Sequence, residues 1–468
     1  MQDNTGFAAI SVREQGLKRQ LTPAQMSMIA IGGAIGTGLF MGSGFAIGFA
    51  GPGVLLSYAL GALIALLLMG CLAEMTIAHP TSGSFGAYAE FYLGPLAGFL
   101  VRYAYWAAIV LAIGTEVTAI ALYMKYWFPA VAGWVWILLF SALLILVNAV
   151  SVKAFGHFEY AFSAIKIGAI LAFILLGAWL VFGGANPAYG FHHYVDDGGF
   201  LPHGWSGVWT ALIVAIFSYL SIEMIAVAAG EAQQPETAVK KAFRVTLARL
   251  LVFYLLTLAL VLAMVPWSQA GQGAQSPFVS VMQQVGMPWA TGAINFVILV
   301  AALSAMNSQL YTATRMMFSL ARAGHAPGAM GRLSAAGIPL NALALSCVGI
   351  ALATLVYLAF PEQSFMLMMS IAIFGALFAW MMIFVTHYRF RRYHDRRGLR
   401  LSFRMWGHPW TPLLGMLSML AILLSTPLIP GFRMTLAFGL PFLLLLALGY
   451  RLRVRKAGRE PAAGLDAA

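Results

Sequence analysis

The stretch Ile29-Ala-Ile-Gly-Gly-Ala-Ile-Gly-Thr-Gly-Leu-Phe-Met-Gly-Ser-Gly44 decides how this chain reads. It opens the first long apolar segment, yet Gly32, Gly33, Gly36, Gly38, Gly42 and Gly44 crowd into it. Each glycine inside a helix costs about 0.5–1 kcal/mol relative to alanine. A helix that only had to cross a bilayer would not need so many. Two readings are open. In one, the helix breaks near the bilayer centre over Gly32–Gly38, and its freed N–H groups line a polar cavity suited to a carboxylate. In the other, the glycines form a flat face for close helix packing.

Working outward, 61% of the 468 residues are hydrophobic and 9% are charged, with mean hydropathy +0.85. That balance excludes a soluble domain and indicates a polytopic membrane protein. Cys71 and Cys347 both fall in or beside apolar runs, so neither a disulfide framework nor a metal site is expected. The first 22 residues are polar and lack a signal-peptide pattern, so the first span should be retained. Twelve runs reach the ~20 residues a span requires. They cover 26–45, 54–72, 96–124, 134–152, 160–182, 206–230, 246–265, 289–311, 341–360, 364–387, 411–428 and 434–452.

The net charge of +12 could point to nucleic acid, but its distribution does not. With the N-terminus in the cytoplasm, all Lys and Arg except Lys125 and Arg433 fall on the inner side. This positive-inside bias predicts both termini in the cytoplasm and no nucleic-acid partner. The run Arg389, Arg391, Arg392, Arg396, Arg397, Arg400 and Arg404 fixes topology and lies where anionic lipid headgroups sit. The longest outer loop, 183–205, carries His192, His193, Asp196, Asp197 and His203 and reads as a solvated lid rather than a zinc site. The inner segment 75–95 should be partly helical.

An ionisable group at bilayer depth is costly and needs a reason. Three qualify: Glu116 in the third span, Lys166 in the fifth and Glu223 in the sixth. They either form buried pairs or handle substrate and protons. All nine histidines read as loop or helix-end residues, which leaves any proton coupling to Lys166, Glu116 and Glu223. Ser218 and Ser221 can loosen the sixth span by bonding back to carbonyls. Breaks in spans one and six, five apart, point to an inverted five-helix repeat with a binding site between its halves. No His-Glu-x-x-His helix, phosphate loop or Gly-x-Ser-x-Gly elbow appears, so an enzyme is not expected.

Several motifs in order carry a family resemblance. They are Ile31-Gly-Gly-Ala-Ile-Gly-Thr-Gly-Leu-Phe40; Glu116-Val-Thr-Ala with Tyr126-Trp-Phe-Pro129; Phe155-Gly-His-Phe-Glu159 with Ile165-Lys166; and Ala229-Gly-Glu-Ala232 with Pro235. Ser304-Ala-Met-Asn-Ser308 through Arg315 and Ala321-Arg322, then Thr386-His387 with Phe390-Arg391, complete the set. From about Leu21 to Leu452 the chain resembles bacterial amino acid permeases of the amino acid–polyamine–organocation superfamily.

The resemblance implies an all-α leucine-transporter-like fold of twelve helices, two inverted five-helix repeats plus two. The corresponding division is 1–23 cytoplasmic, 24–183 first repeat, 184–205 outer loop, 206–388 second repeat, 389–408 basic loop, 409–452 last two helices and 453–468 tail. It implies proton-driven import of an amino acid across the bacterial inner membrane, without a cofactor. Carried over by position, backbone at Ile35, Gly36, Thr37 and Gly38 takes the carboxylate. Backbone at Phe217, Ser218 and Leu220, beside Ser221, takes the ammonium. Lys166 matches a lysine that stands in for a sodium ion, and Glu116 and Glu223 match acidic positions. Protonated Lys166 is expected to bond freed carbonyls near Gly32 and Ala34. The side chain should point between spans one, three, six, eight and ten. Departures are Leu220-Ser221 where a glycine is usual, Ala379 in place of asparagine before Trp380, and His157 in place of an acid. The leading expectation is a symporter for a neutral, small or aliphatic amino acid. The alternatives are an exchanger, a carrier for aromatic or cationic substrates, and, outside the class, a membrane sensor or channel.

Overall fold

The computed structural model describes residues 4–33, 35–183, 187–272, 275–286 and 288–457. Among these residues there are helices and no strand, only one isolated bridge between Leu21 and Ala232. In chain order the helices are α1 (Asn4–Arg13), α2 (Pro23–Gly32), α3 (Ser43–Ala50), α4 (Val54–Ala78), α5 (Ser84–Leu93), α6 (Pro95–Met124) and α7 (Gly133–Val150). Then come α8 (Val152–Phe182), α9 (Gly204–Tyr219), α10 (Met224–Ala228), α11 (Pro235–Leu251), α12 (Thr257–Met264), α13 (Trp267–Ala270) and α14 (Pro277–Gln284). The last are α15 (Pro288–Arg322), α16 (Leu340–Ser346), α17 (Val348–Ala359), α18 (Ser364–Arg396), α19 (Trp410–Ser425) and α20 (Arg433–Ala457).

Ten helices are long and apolar enough to cross a membrane among the described residues. Two of the twelve expected spans do not stand as separate members of that set. The first is interrupted, and its second half runs with the next helix as Gly38–Ala78. The seventh keeps only Val252–Met264 as an apolar helix, because the charged α11 precedes it and a π-helical turn at Val252–Leu256 joins the two. The expected inner helix is α5. The fifth span starts earlier than its apolar run, at Val152, and the tenth continues to Arg396. That extension places His387 inside a helix and fully buried, against the expectation that every histidine lies in a loop or at a helix end.

α6 lies at the centre, packed along α15 and α18. α19 and α20 flank α18, and α20 is exposed over much of its surface. Close approach needs small residues: a Cβ on Gly375 would sit 2.2 Å from the Ala104 carbonyl oxygen. α2 starts cleanly because Thr22 and Gln25 form a capping box ahead of Pro23.

The basic side is closed by the N-terminal segment. Glu14 accepts from Arg102 Nη2 (3.1 Å), Ser319 Oγ (2.7 Å) and Thr81 Oγ1 (2.9 Å), joining α6, α15 and the turn before α5. Glu90 takes Arg13 bidentately at 2.9 and 2.8 Å, and Arg102 Nη1 at 2.8 Å. Arg322 donates to the Arg13 and Gln15 carbonyls. Nearby, Glu74 of α4 accepts from His387, Arg391 and the Met405 amide.

Burial alone would raise the Glu90 carboxyl, but the Arg13 and Arg102 guanidiniums outweigh it and hold it at about 2. A depressed carboxyl contributes stability above its ordinary value near 4.5 and loses it as pH falls through about 2. The Glu90 contribution to N-terminal docking should therefore hold constant from pH 5 to 8 and weaken only below that window. Replacing Glu14 with alanine takes a charged acceptor from the fully buried Arg102. We expect a loss of about 3 kcal/mol, read as a lower unfolding temperature in detergent.

Candidate functional site

The glycine-rich stretch is broken. α2 ends at Gly32, Gly33 caps it, and regular helix resumes only with the π-helical turn Gly38–Gly42 that leads into α3. Both readings of the glycines hold at different positions. Gly33 and Gly36 flank the interruption, while Gly38 allows close packing: a Cβ there would lie 2.6 Å from Ser218 Cα. Ala34 lies outside the described residues.

The partner of this break is the second one. α9 ends at Tyr219, Leu220 is extended (ψ 156°), and Ser221 sits at φ +78° before α10 begins at Met224. A left-handed conformation costs a non-glycine residue about 1–2 kcal/mol. The position where a glycine was expected thus carries a serine in the backbone region that favours glycine. Ser218 Oγ donates to the Val214 carbonyl (3.0 Å), as its place in a loosened helix suggested. The Ser218 carbonyl accepts from Tyr254 Oη at 2.8 Å.

Between the breaks lies a cavity of about 20 Å³. The first break supplies Gly33, Gly36 and Gly38; the second supplies Phe217, Ser218, Leu220 and Ser221. α6 adds Ile109, Ala112 and Glu116, and α15 adds Ala305 and Gln309. α18 contributes no lining residue, contrary to the expected share from the tenth span; Trp380 is instead fully buried in the core. Ile35 and Thr37 lie between lining residues of the same break without lining the cavity themselves.

The polar atoms around this cavity are under-satisfied. Glu116 Oε1 accepts one long bond from Gln309 Nε2, at 3.4 Å. Glu116 Oε2, Gln309 Oε1, Thr37 Oγ1 and Ser308 Oγ are buried without a hydrogen-bond partner of normal geometry. Thr37 does lie close enough to Glu116 to interact with it. Each unsatisfied buried group costs about 1–3 kcal/mol, so a polar guest here would be stabilised.

The other two ionisable residues serve the breaks from behind. Lys166 Nζ donates to the Ile35 carbonyl (3.1 Å) and to Ser304 Oγ (2.7 Å). Among the described residues, the Ile35 carbonyl next to the expected Gly32–Ala34 region is thus one of its partners. Glu223 Oε1 accepts from the Ser221 amide (3.3 Å) and from Tyr105 Oη (2.6 Å), so it holds the second break open. The structure gives Glu223 no place in the cavity wall.

Sequence reasoning assigned no role to two further buried carboxylates. Glu231 pairs with Arg315 at 2.8 Å and accepts from Tyr311 Oη at 2.7 Å. Glu159 accepts from Ser304 Oγ (2.5 Å) and Asn307 Nδ2 (3.2 Å). Both lie in the quoted motifs. Glu159 escaped notice because its helix was expected to begin at residue 160, which left it in a loop where a carboxylate needs no reason. On the outer loop, His192, His193 and Asp196 bring their ligand atoms within 4.8 Å of one another, but the group is mostly exposed and lines no part of the cavity.

The sequence profile of the amino acid permease family matches residues 25–458. The aromatic amino acid transport protein AroP of Salmonella typhimurium (strain LT2) is 37% identical over 435 residues, 93% of this chain and 95% of that protein. AroP of Escherichia coli (strain K12) is 37% identical over 445 residues, 94% and 96% of the two chains. The uncharacterized amino acid permease YtnA of Bacillus subtilis (strain 168) is 39% identical over 445 residues, with the same coverage. Matches this long, together with a helical bundle of many membrane-crossing helices, decide the assignment: the chain belongs to the amino acid permease family and is a transport protein, not an enzyme.

Proposed function

We propose that this protein imports a neutral amino acid with a small or aliphatic side chain by proton symport, with the basic side facing the cytoplasm. The observation that carries the reading is the cluster of unsatisfied polar atoms where the two helix breaks face each other. A zwitterion supplies what such a cluster lacks. Backbone at Ile35–Gly38 faces its carboxylate at the start of a half-helix, and carbonyls around Phe217, Ser218 and Leu220 face its ammonium. Glu116 is the one ionisable lining residue among those described, which favours a neutral side chain against Ile109, Ala112 and Leu220. The two breaks belong to an inverted five-helix repeat, and rocking of one half against the other gives alternating access.

A second reading is an aromatic substrate. Two similar proteins are named aromatic amino acid transport proteins, and small residues, Ala112, Ala305 and three glycines, make up part of the cavity lining.

The substrate test is a thermal-shift screen of purified protein with alanine, valine, phenylalanine and arginine. A ligand at 100-fold its dissociation constant stabilises by about 2.7 kcal/mol. Alanine and valine should raise the unfolding temperature, and arginine should not. A shift with phenylalanine alone selects the second reading, and no shift with any neutral amino acid removes both.

Lys166 is assigned the proton. Protonated, it braces the Ile35 carbonyl; deprotonated, it releases it. Lys166→Ala should lower uptake driven by a pH gradient in proteoliposomes at least tenfold. Accumulation at the parent level would rule the role out. Glu223 is assigned the upkeep of the second break. Glu223→Gln retains the Oε1 acceptor and should keep uptake within a few-fold, whereas Glu223→Ala should lose most of it.

A further inference from the structure

We propose that Glu159 is the proton acceptor on the basic side of Lys166, reached through the hydroxyl of Ser304. The inference rests on the proton-symport reading and supplies the route that reading lacks. Lys166 and Glu159 lie seven residues apart on α8, on one face, about 10 Å along the axis at ~1.5 Å per residue. Both reach the same hydroxyl. Ser304 of α15 stands between them and accepts from Lys166 Nζ at 2.7 Å while donating to Glu159 Oε1 at 2.5 Å. The donor order is therefore already that of a relay from lysine to carboxylate.

The rest of the surroundings suit a transient charge. Glu159 is fully buried and has no directly bonded cation among its described partners. Its second oxygen takes Asn307 Nδ2 at 3.2 Å, and Asn307 in turn accepts from Asn148 Nδ2 of α7 at 2.8 Å. The titratable groups acting on Lys166 are Glu159 and, from α6, Glu116. Glu116 lines the cavity and bonds Gln309, whereas Glu159 is not among the lining residues. The two carboxylates thus lie on opposite sides of the lysine in function: one toward the cavity, one toward the exit. From α15 and α7 the facing groups are Ser304, Asn307 and Asn148; from the first break it is the Ile35 carbonyl.

On the basic side, one turn before Glu159, Phe155 stacks on Tyr311 with ring centroids 4.2 Å apart. Gly156 lies against the Gln25 side chain of α2. This layer ties α8 to α2 and α15 just on the basic side of Glu159.

The step balances without any other reagent. The Lys166 ammonium gives one proton to Ser304 Oγ as Ser304 passes its own to a Glu159 oxygen. The hydroxyl ends with one proton, the lysine as a neutral amine and Glu159 as a neutral acid. The hydrogen bond to the Ile35 carbonyl weakens at the same moment. Water reaching Glu159 from the opened basic side takes the proton and restores the carboxylate.

The test separates coupling from transport in proteoliposomes. Labelled alanine and phenylalanine are followed in two modes: accumulation driven by a pH gradient, and exchange at equal pH on both sides. Glu159→Gln keeps an oxygen to accept from Ser304 but cannot take the proton. It should lower accumulation at least tenfold more than exchange, and Ser304→Ala should do the same. Glu159→Asp should recover part of the loss. A Glu159→Gln protein that accumulates like the parent overturns the relay. So does one in which both modes fall equally along with the unfolding temperature, since Glu159 would then only support the fold. A parent protein that shows no accumulation under a pH gradient overturns the symport reading itself and the relay with it.

Discussion

Lipid offers no hydrogen bonds, so a helix broken inside a membrane must have its loose backbone groups met by the protein. That constraint organises the structure. The first break places the Ile35 carbonyl on Lys166, and the second places the Ser221 amide on Glu223 and the Ser218 carbonyl on Tyr254. Lys166 and Glu223, two of the three ionisable residues picked out from the apolar runs, are thus part of what keeps the breaks open. The third, Glu116, faces the space between them. Gly38 against Ser218 brings the two breaks into contact, and any larger residue at Gly38 would push them apart.

Ion pairs, most of them buried, gather at the basic end. Glu14 with Arg102, Glu90 with Arg13, Glu231 with Arg315, and Glu74 with Arg391 each join elements distant in the chain. Burying such pairs gains little net stability, because desolvation offsets most of the attraction, while separating them is costly. Pairs of that kind favour one discrete arrangement over a continuum.

What could be read in advance followed from local chemistry. The breaks were legible because glycine density and misplaced serines are penalties a plain helix would not carry. Glu116, Lys166 and Glu223 were legible because charge at depth is expensive wherever it occurs. Glu159 was not, because apolar runs mark where lipid begins and not where a helix begins. α8 starts at Val152, eight residues before its apolar run, with the Ser151 side chain accepting from the Ala154 amide, and α18 continues past the apolar run into its arginines. His387 was missed for the same reason.

By itself, then, the sequence determined a multi-pass helical protein, its family, the position of both breaks and the groups that must be accounted for. These are one-dimensional facts: composition, spacing and the cost of a residue in a helix. Tertiary structure decided which group meets which. It put Lys166 on Ile35 and Ser304, turned Glu223 behind the second break, and left α18 out of the cavity wall. Those choices depend on how α6, α8 and α15 rotate and cross, and helix rotation is fixed by the packing of every neighbour at once.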